Sequence, residues 1–377
     1  MDHEFDRRAF LSAAAAAGLT LVGCGGDNGA REATSTTSGG SKLAGTGSVK
    51  VSDGGGTFSR AQRIAHWEPF MRDTGIEVVP TPGFILEDVV NIRRDRPKVD
   101  VADAGPQFDE MVPGKMLELD YSLWDPANKA AYEPAEALPI SAPYFIGSSN
   151  ITYDKAKFGD NPPTTWADVW DFEKFPGKRA LYPGTYGDGM VEIALLADGV
   201  APEDMYPIDF DRYFRAMDRI RPHIVRFGAA GGDVARLIND GEAVMGTEYS
   251  ARFAVAVDEG ATNVGQTFDQ GWTFVGYYSV FKGASNVDNA MKFIAYISDP
   301  EVQARFSELL PYGPPNSLAL KYLSEGRQKL LPTAPENRDR IVYRPDMLIY
   351  WGKKDPATGM TPLEELTKRW EEWVAKG

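Results

Sequence analysis

The residues able to do chemistry in this chain are ones that bind rather than react. Its one cysteine is Cys24, and its three histidines, His3, His66 and His223, stand far apart. A thiol nucleophile in the folded part, or a histidine-rich zinc or iron site, therefore has no ligands to draw on. Gly-x-Ser-x-Gly and His-Glu-x-x-His patterns are missing too. No cofactor and no metal are expected. What remains are carboxylates, one well-placed arginine and aromatic rings. Glu248-Tyr249 is followed by Arg252, and two readings stand for it: the carboxylate holds a cationic head group, or it pairs with Arg252. Trp272, Tyr277 and Tyr278 share one β-prone run, in which alternation sends the two tyrosines to opposite faces. Gly54-Gly55-Gly56-Thr57 lacks both GxGxxG spacing and a following Lys-Ser/Thr. It is either a plain tight turn or a place where Gly55 and Gly56 let backbone N–H groups approach a ligand beside Phe58.

The elements that must position these groups follow from periodicity. Ser48 to Ser52 alternates as a short strand, and Ile64, Trp67 and Met71 recur at helical spacing before Gly75. Ile76 to Val79 is a second strand, completing a βαβ unit whose ligand edge lies at the strand C-termini. Val99 to Asp103 runs into Ala104-Gly105-Pro106-Gln107, which brings Asp103 and Gln107 to that same edge. Tyr144 to Tyr153 and Gly271 to Phe281 are long extended runs, read as an outward and a return crossing between two bodies. Apolar faces at 210–220 and 234–238, two helices in series at 288–297 and 300–309, and a terminal helix carrying Leu363, Leu366 and Trp370 complete the pattern.

With 377 residues, 43% of them hydrophobic and 11% aromatic, the chain can bury a substantial core and is expected to form two domains. Its net charge of −14 repels nucleic acid and anionic membranes. That acidity either favours cationic ligands or only keeps an exported protein soluble.

The N-terminus reads as an export signal. Arg7-Arg8-Ala9-Phe10-Leu11 precedes a weakly apolar segment ending in Leu21-Val22-Gly23-Cys24, too short and too poor in large side chains for a permanent membrane span. It resembles a twin-arginine signal with a lipobox, which implies cleavage after residue 23 and a lipid on the sulfur of Cys24. Loss of residues 1–23 removes three acids and two arginines and leaves a net charge of −13. Residues 24–47 are rich in Gly, Ser and Thr and read as a flexible tether.

Several motifs then recur in order. They are Gly75-Ile76-Glu77-Val78, Thr165-Trp166-Ala167-Asp168-Val169-Trp170 before Phe175-Pro176-Gly177-Lys178, Gly241-Glu242-Ala243-Val244-Met245, and Asn289-Ala290-Met291-Lys292-Phe293-Ile294 before Ser298-Asp299-Pro300. On these residues the chain, from about Val49 to Trp373, resembles the spermidine/putrescine-type extracellular solute-binding proteins of ABC importers. The resemblance implies an α/β, two-lobed type II periplasmic-binding-protein fold with two crossing strands, whose loaded form docks on a membrane permease. It also implies a location in the periplasm or at the cell exterior. Lobe 1 is expected over 48–150 with 275–325, and lobe 2 over 151–274 with 326–377. A monomer that captures a small solute without turning it over is expected.

Polyamine binders of this family place an acidic pair after the first strand of lobe 2 and a Trp-x-Asp on the return crossing. Here the first region reads Tyr182-Pro183-Gly184-Thr185-Tyr186-Gly187-Asp188, and Val275 and Tyr277 stand where the Trp-x-Asp would fall. The candidate ligand residues are thus Gly55, Gly56, Phe58, Asp103, Gln107, Tyr186, Asp188, Glu248, Tyr249, Arg252, Trp272 and Tyr277. The ligand is expected to be small, cationic and polyamine-like, walled by aromatics. An anion held by Arg252 and backbone donors is the rival, and a carboxylate-dependent exported hydrolase is the other alternative. The export reading is checked by fractionation. Changing Arg7 and Arg8 together to Lys should retain the protein in the cytoplasm, and Cys24→Ala should abolish lipid labelling. Secretion and labelling indifferent to both changes would refute it.

Overall fold

The computed structural model describes residues 40–82, 85–184, 189–228 and 231–376. The signal, Cys24, Tyr186 and Asp188 lie outside the described residues. Among the described residues, eight strands form two sheets. Strand β1 (Ser48–Asp53) pairs in parallel with β2 (Glu77–Pro82). The others are β3 (Ala102–Asp103), β4 (Ala142–Asp154), β5 (Arg179–Leu181), β6 (Ile224–Phe227), β7 (Met245–Tyr249) and β8 (Val264–Ser279). They assemble in the order β3-β8-β4-β7-β5-β6. The sheet is mixed, because β4 and β8 run antiparallel to each other while β5 is parallel to β6 and β7.

Local sequence accounts for most boundaries. The helix between β1 and β2 spans Gly56 to Thr74, with a π-helical turn at Arg63–Trp67, and stops where Gly75 adopts a left-handed φ of 81°. Asp299 caps the helix Pro300–Leu309 by accepting from the amides of Glu301 and Val302. Thr361 and Glu364 form a reciprocal capping box at the head of the terminal helix Pro362–Ala375. The strand expected over Val99 to Asp103 is shorter than its apolar pattern suggests. Val101 bridges to Val51 alone, and only Ala102–Asp103 joins β8.

Two principal hydrophobic cores flank the crossing strands. One gathers Val49, Val51, Trp67, Phe70, Phe293 and Phe306, and the other Trp166, Leu195, Tyr213, Met217, Trp351 and Trp370. The end of the expected tether is part of the folded body. Gly45 donates to Thr74 O, Asn289 to the carbonyls of Thr46 and Ser48, and Lys292 to Ala44 O. A third connection was not evident from the sequence. Arg340 to Val342 runs beside β8, with Gln270 N donating to Arg340 O, Val342 N to Gly271 O and Thr273 N to Val342 O.

Where β4 and β8 pass between the cores, glycine faces aromatic twice. Gly147 is opposite Phe274 and Phe145 is opposite Gly276. A β-carbon on Gly147 would fall 2.3 Å from the Phe274 ring, and one on Gly276 would fall 2.1 Å from the Phe145 ring. Each ring lies across the glycine of the other strand, so neither glycine has room for a side chain. Gly276→Ala should therefore cost roughly 1–3 kcal/mol by overpacking, read from the midpoint of urea unfolding. An unchanged midpoint would mean that the ring simply swings aside.

Candidate ligand-binding cleft

The turn after β1 is built as the glycines require. Gly55 and Gly56 have φ of 73° and 57°, both are exposed, and nothing lies within 4 Å of a β-carbon at either. The Gly55 amide is already spent on Asp53 Oδ1 at 2.9 Å, so this turn is held by its own aspartate. Phe58 is buried, its ring edge-on to Phe145, Phe306 and Tyr312 at 5.5, 5.5 and 5.9 Å. It braces the aromatic cluster from behind.

Asp103 ends β3 as an exposed residue beside protein that strips water from its carboxyl. Loss of hydration there pushes its carboxyl up to about 6, against the opposing pull of a hydrogen bond from the Tyr144 hydroxyl to Oδ2 at 3.0 Å. Gln107 sits elsewhere than expected. It is buried, with its backbone carbonyl pressed by Gly352, where a β-carbon would come within 2.4 Å. It belongs to the packing of the helix Gln107–Met111 against the helix Asp346–Gly352. That removes it from a solute's reach.

Three expectations from the other side of the crossing also change. Glu248 is fully buried and both its oxygens are engaged: Oε1 accepts from the Tyr182 hydroxyl at 2.5 Å and the Tyr249 amide at 3.0 Å, and Oε2 from the Ala235 amide at 3.3 Å. Burial pushes its carboxyl up to about 7. It neither pairs with Arg252 nor presents a free oxygen to a head group. Trp272 is 1% exposed and donates its indole N–H to Met347 Sδ. Tyr277 is buried in that same core with its hydroxyl against that of Tyr343. The strand face that carries Tyr277 turns toward this core, while Tyr278 on the opposite face stacks on Tyr144 at 3.9 Å. A run of aromatic letters says nothing about which face meets solvent.

Tyr249 holds its place, half-buried and stacked on Tyr182 at 4.8 Å. Arg252 is half-buried on the helix Ser250–Asp258, and its guanidinium reaches the Tyr312 hydroxyl. Among the described residues no carboxylate pairs with it. Gly231 makes room for the Arg252 stem, since a β-carbon there would fall 2.6 Å from Cδ and Nε.

The decisive arrangement joins residues the sequence reading did not connect. From Asp103, the rings of Tyr144, Phe145 and Tyr312 follow one another at 4.8 and 4.6 Å, and the last touches Arg252. Phe274 closes onto this row at 6.2 Å from both Phe145 and Tyr312, and onto Tyr249 at 5.1 Å. An acid and a base thus stand at opposite ends of one aromatic wall. Tyr144, Phe145, Phe274 and Tyr312 were not among the expected ligand residues; Tyr312 lies in Pro311-Tyr312-Gly313, where no local pattern marks a contact.

Comparison with known proteins gives the family. Residues 66–325 match the family model described as bacterial extracellular solute-binding protein. A gamma-aminobutyric acid-binding protein of Pseudomonas aeruginosa is 31% identical over 347 residues, 87% of this chain and 91% of its own. The solved structure of a GABA receptor superposes with a TM-score of 0.76 at 30% identity, over 88% of this chain and 98% of that one. The spermidine/putrescine-binding periplasmic protein of Salmonella typhimurium is 23% identical over 185 residues, 49% of this chain and 52% of its own. No helix among the described residues is long and apolar enough to cross a membrane. The fold is the two-lobed periplasmic-binding-protein fold, and the chain belongs to the bacterial extracellular solute-binding proteins, the solute-capturing components of ABC transporters.

Proposed function

We propose that the solute is a small zwitterion of the γ-aminobutyrate class, an amine and a carboxylate joined by a short methylene chain. The observation that carries this reading is the opposition of Asp103 and Arg252 across Tyr144, Phe145 and Tyr312. The ammonium meets the carboxylate of Asp103, the solute's carboxylate meets the Arg252 guanidinium, which no described carboxylate pairs, and the methylenes lie on aromatic faces. A diamine would need an acid at each end, and Glu248 is closed off by its own hydrogen bonds. The names of the P. aeruginosa relative and of the solved GABA receptor support the same class.

Catalysis is not part of this reading. Hydrolysis by carboxylates alone takes an acid and a base flanking one bond, and among the described residues of the wall Asp103 stands by itself. The protein is read as a monomer that binds solute outside the membrane and hands it to a permease, tethered by a lipid on Cys24. The lobes are read as 48–150 with 275–325 and 151–274 with 326–377.

Calorimetry with γ-aminobutyrate, putrescine and butyrate tests the class. γ-Aminobutyrate should bind in the micromolar range, about −8 kcal/mol. Each singly matched analogue should lose roughly tenfold or more, the equivalent of one charge-assisted hydrogen bond. Arg252→Gln should weaken γ-aminobutyrate by a similar factor, and Gly231→Ala less so by displacing the guanidinium. Putrescine binding as tightly as γ-aminobutyrate would refute the reading. A pH series gives an independent check. Asp103 binds an ammonium only when ionised and its carboxyl lies at about 6. Affinity should be full at pH 7–8 and fall as pH drops through about 6, with the fall absent in Asp103→Asn.

A further inference from the structure

Behind the Asp103 carboxylate lies a row of buried polar groups. Tyr144 and Tyr278 are 3% and 0% exposed, and Gln62, the last residue of the helix Gly56–Gln62, is 1% exposed. The two tyrosine rings stack at 3.9 Å and 6°, which sets their hydroxyls side by side. Gln62 Nε2 donates to the Tyr278 hydroxyl, and the Tyr144 hydroxyl donates to Asp103 Oδ2 at 3.0 Å. The amide oxygen of Gln62 has no partner in this buried site, and with Nε2 turned to Tyr278 the side chain serves the row as a donor.

With Nε2 turned to Tyr278, one order of the protons satisfies both hydroxyls. Nε2 has only hydrogens to offer, so the Tyr278 oxygen accepts, and its own hydrogen is left to turn to the neighbouring Tyr144 oxygen. The Tyr144 hydrogen then points at Asp103. Donors aligned head to tail polarise one another, and each strengthens the next. We propose that Gln62 and Tyr278 are positioning residues for solute binding: through Tyr144 they drive a one-way hydrogen-bond row onto Asp103, keeping it ionised and holding Oδ2 so that Oδ1 faces the solute.

The strands make this row possible. Tyr278 of β8 is the register partner of both Asp103 on β3 and Ala142 on β4, so it lies between the strands that supply the carboxylate and Tyr144. The titratable groups facing Asp103 are Tyr144 from β4 and Tyr278 from β8. Asp53, at the end of β1, acts on Tyr278. No lysine or arginine among the described residues pairs with Asp103, so the row is the main influence opposing its loss of hydration. The inference rests on the reading of Asp103 as the ammonium contact, yet its central claim concerns the free protein.

The test is a carbon-detected NMR titration of the Asp103 carboxyl in the solute-free full chain, its resonance assigned by loss in Asp103→Asn. Tyr278→Phe deletes one hydroxyl, and Gln62→Met keeps the length of the side chain without a donor. Both should raise the Asp103 midpoint by about one unit, and both should move the midpoint of γ-aminobutyrate affinity upward in step. At pH 8, where Asp103 is ionised in every variant, affinity should recover to within about threefold of the parent. A purely structural role would lower the unfolding midpoint and leave the titration where it is. An unmoved titration in Tyr278→Phe overturns the proposal, as does a shift in Tyr278→Phe with none in Gln62→Met, because the row would then run toward Gln62. Shifted titrations with no γ-aminobutyrate binding by any variant or the parent would uphold the row and overturn the solute class instead.

Discussion

The two crossing strands can pass between the cores only because each supplies a glycine for the other's phenylalanine. Phe145 lies over Gly276 and Phe274 over Gly147, so the rings sit flat against backbone where ordinary side chains would hold them off. This exchange does two things at once. It locks the register of the ladder, since a slip of one residue would drive a ring into a β-carbon. It also brings Phe274 between Tyr249 on one side and Phe145 and Tyr312 on the other, so the aromatic wall is continuous across the passage from one core to the other.

Charge is disposed around that wall by burial. Glu248 and Glu192 are both nearly inaccessible and both serve as acceptors for tyrosine or tryptophan donors: Tyr182 for the first, Tyr206 and Trp351 for the second. Burial raises the carboxyl of each. A carboxylate taken out of water in this way is tolerable only with its hydrogen bonds complete, and completing them uses up the oxygens a solute would need. Asp103 keeps solvent access and a single described donor, which leaves it with bonding capacity. The arginines divide similarly. Arg179 is buried and spends its guanidinium on the carbonyls of Val169, Asp171, Phe175 and Gly177, whereas Arg252 reaches only a hydroxyl among the described residues. An arginine satisfied by carbonyls organises a loop; one left with open donors keeps them for another partner.

Much of the fold was legible in the sequence because it depends on neighbours in the chain. The β1–helix–β2 unit, the glycine stop at Gly75, the helices at 210–220 and 300–309, and both crossings appear where apolar spacing and capping residues put them. Trp351, Trp370 and Trp373 pack into the core, at 3%, 9% and 6% exposure. What escaped were features set by distant partners: the first half of β8, whose polar alternation is satisfied only by pairing with β4, and the added segment at 340–342. The site was less legible. Of its charged residues, Asp103 and Arg252 were named from their positions at strand and helix ends, and so was Glu248, which has a different task.

By itself the sequence determined the class of protein: an α/β body with no catalytic cysteine, no histidine cluster and no nucleotide loop, built around two extended crossings. It did so because periodicity, glycine stops and missing nucleophiles are properties of local composition, which do not wait on packing. Only the tertiary structure decided which charges are free. Glu248, Asp103 and Arg252 look alike as isolated letters, and their roles separate when Tyr182 and two backbone amides close around the first, solvent reaches the second, and no described carboxylate comes to the third. The availability of a charged group is settled by the partners that folding brings from elsewhere in the chain, and spacing along the sequence carries no record of them.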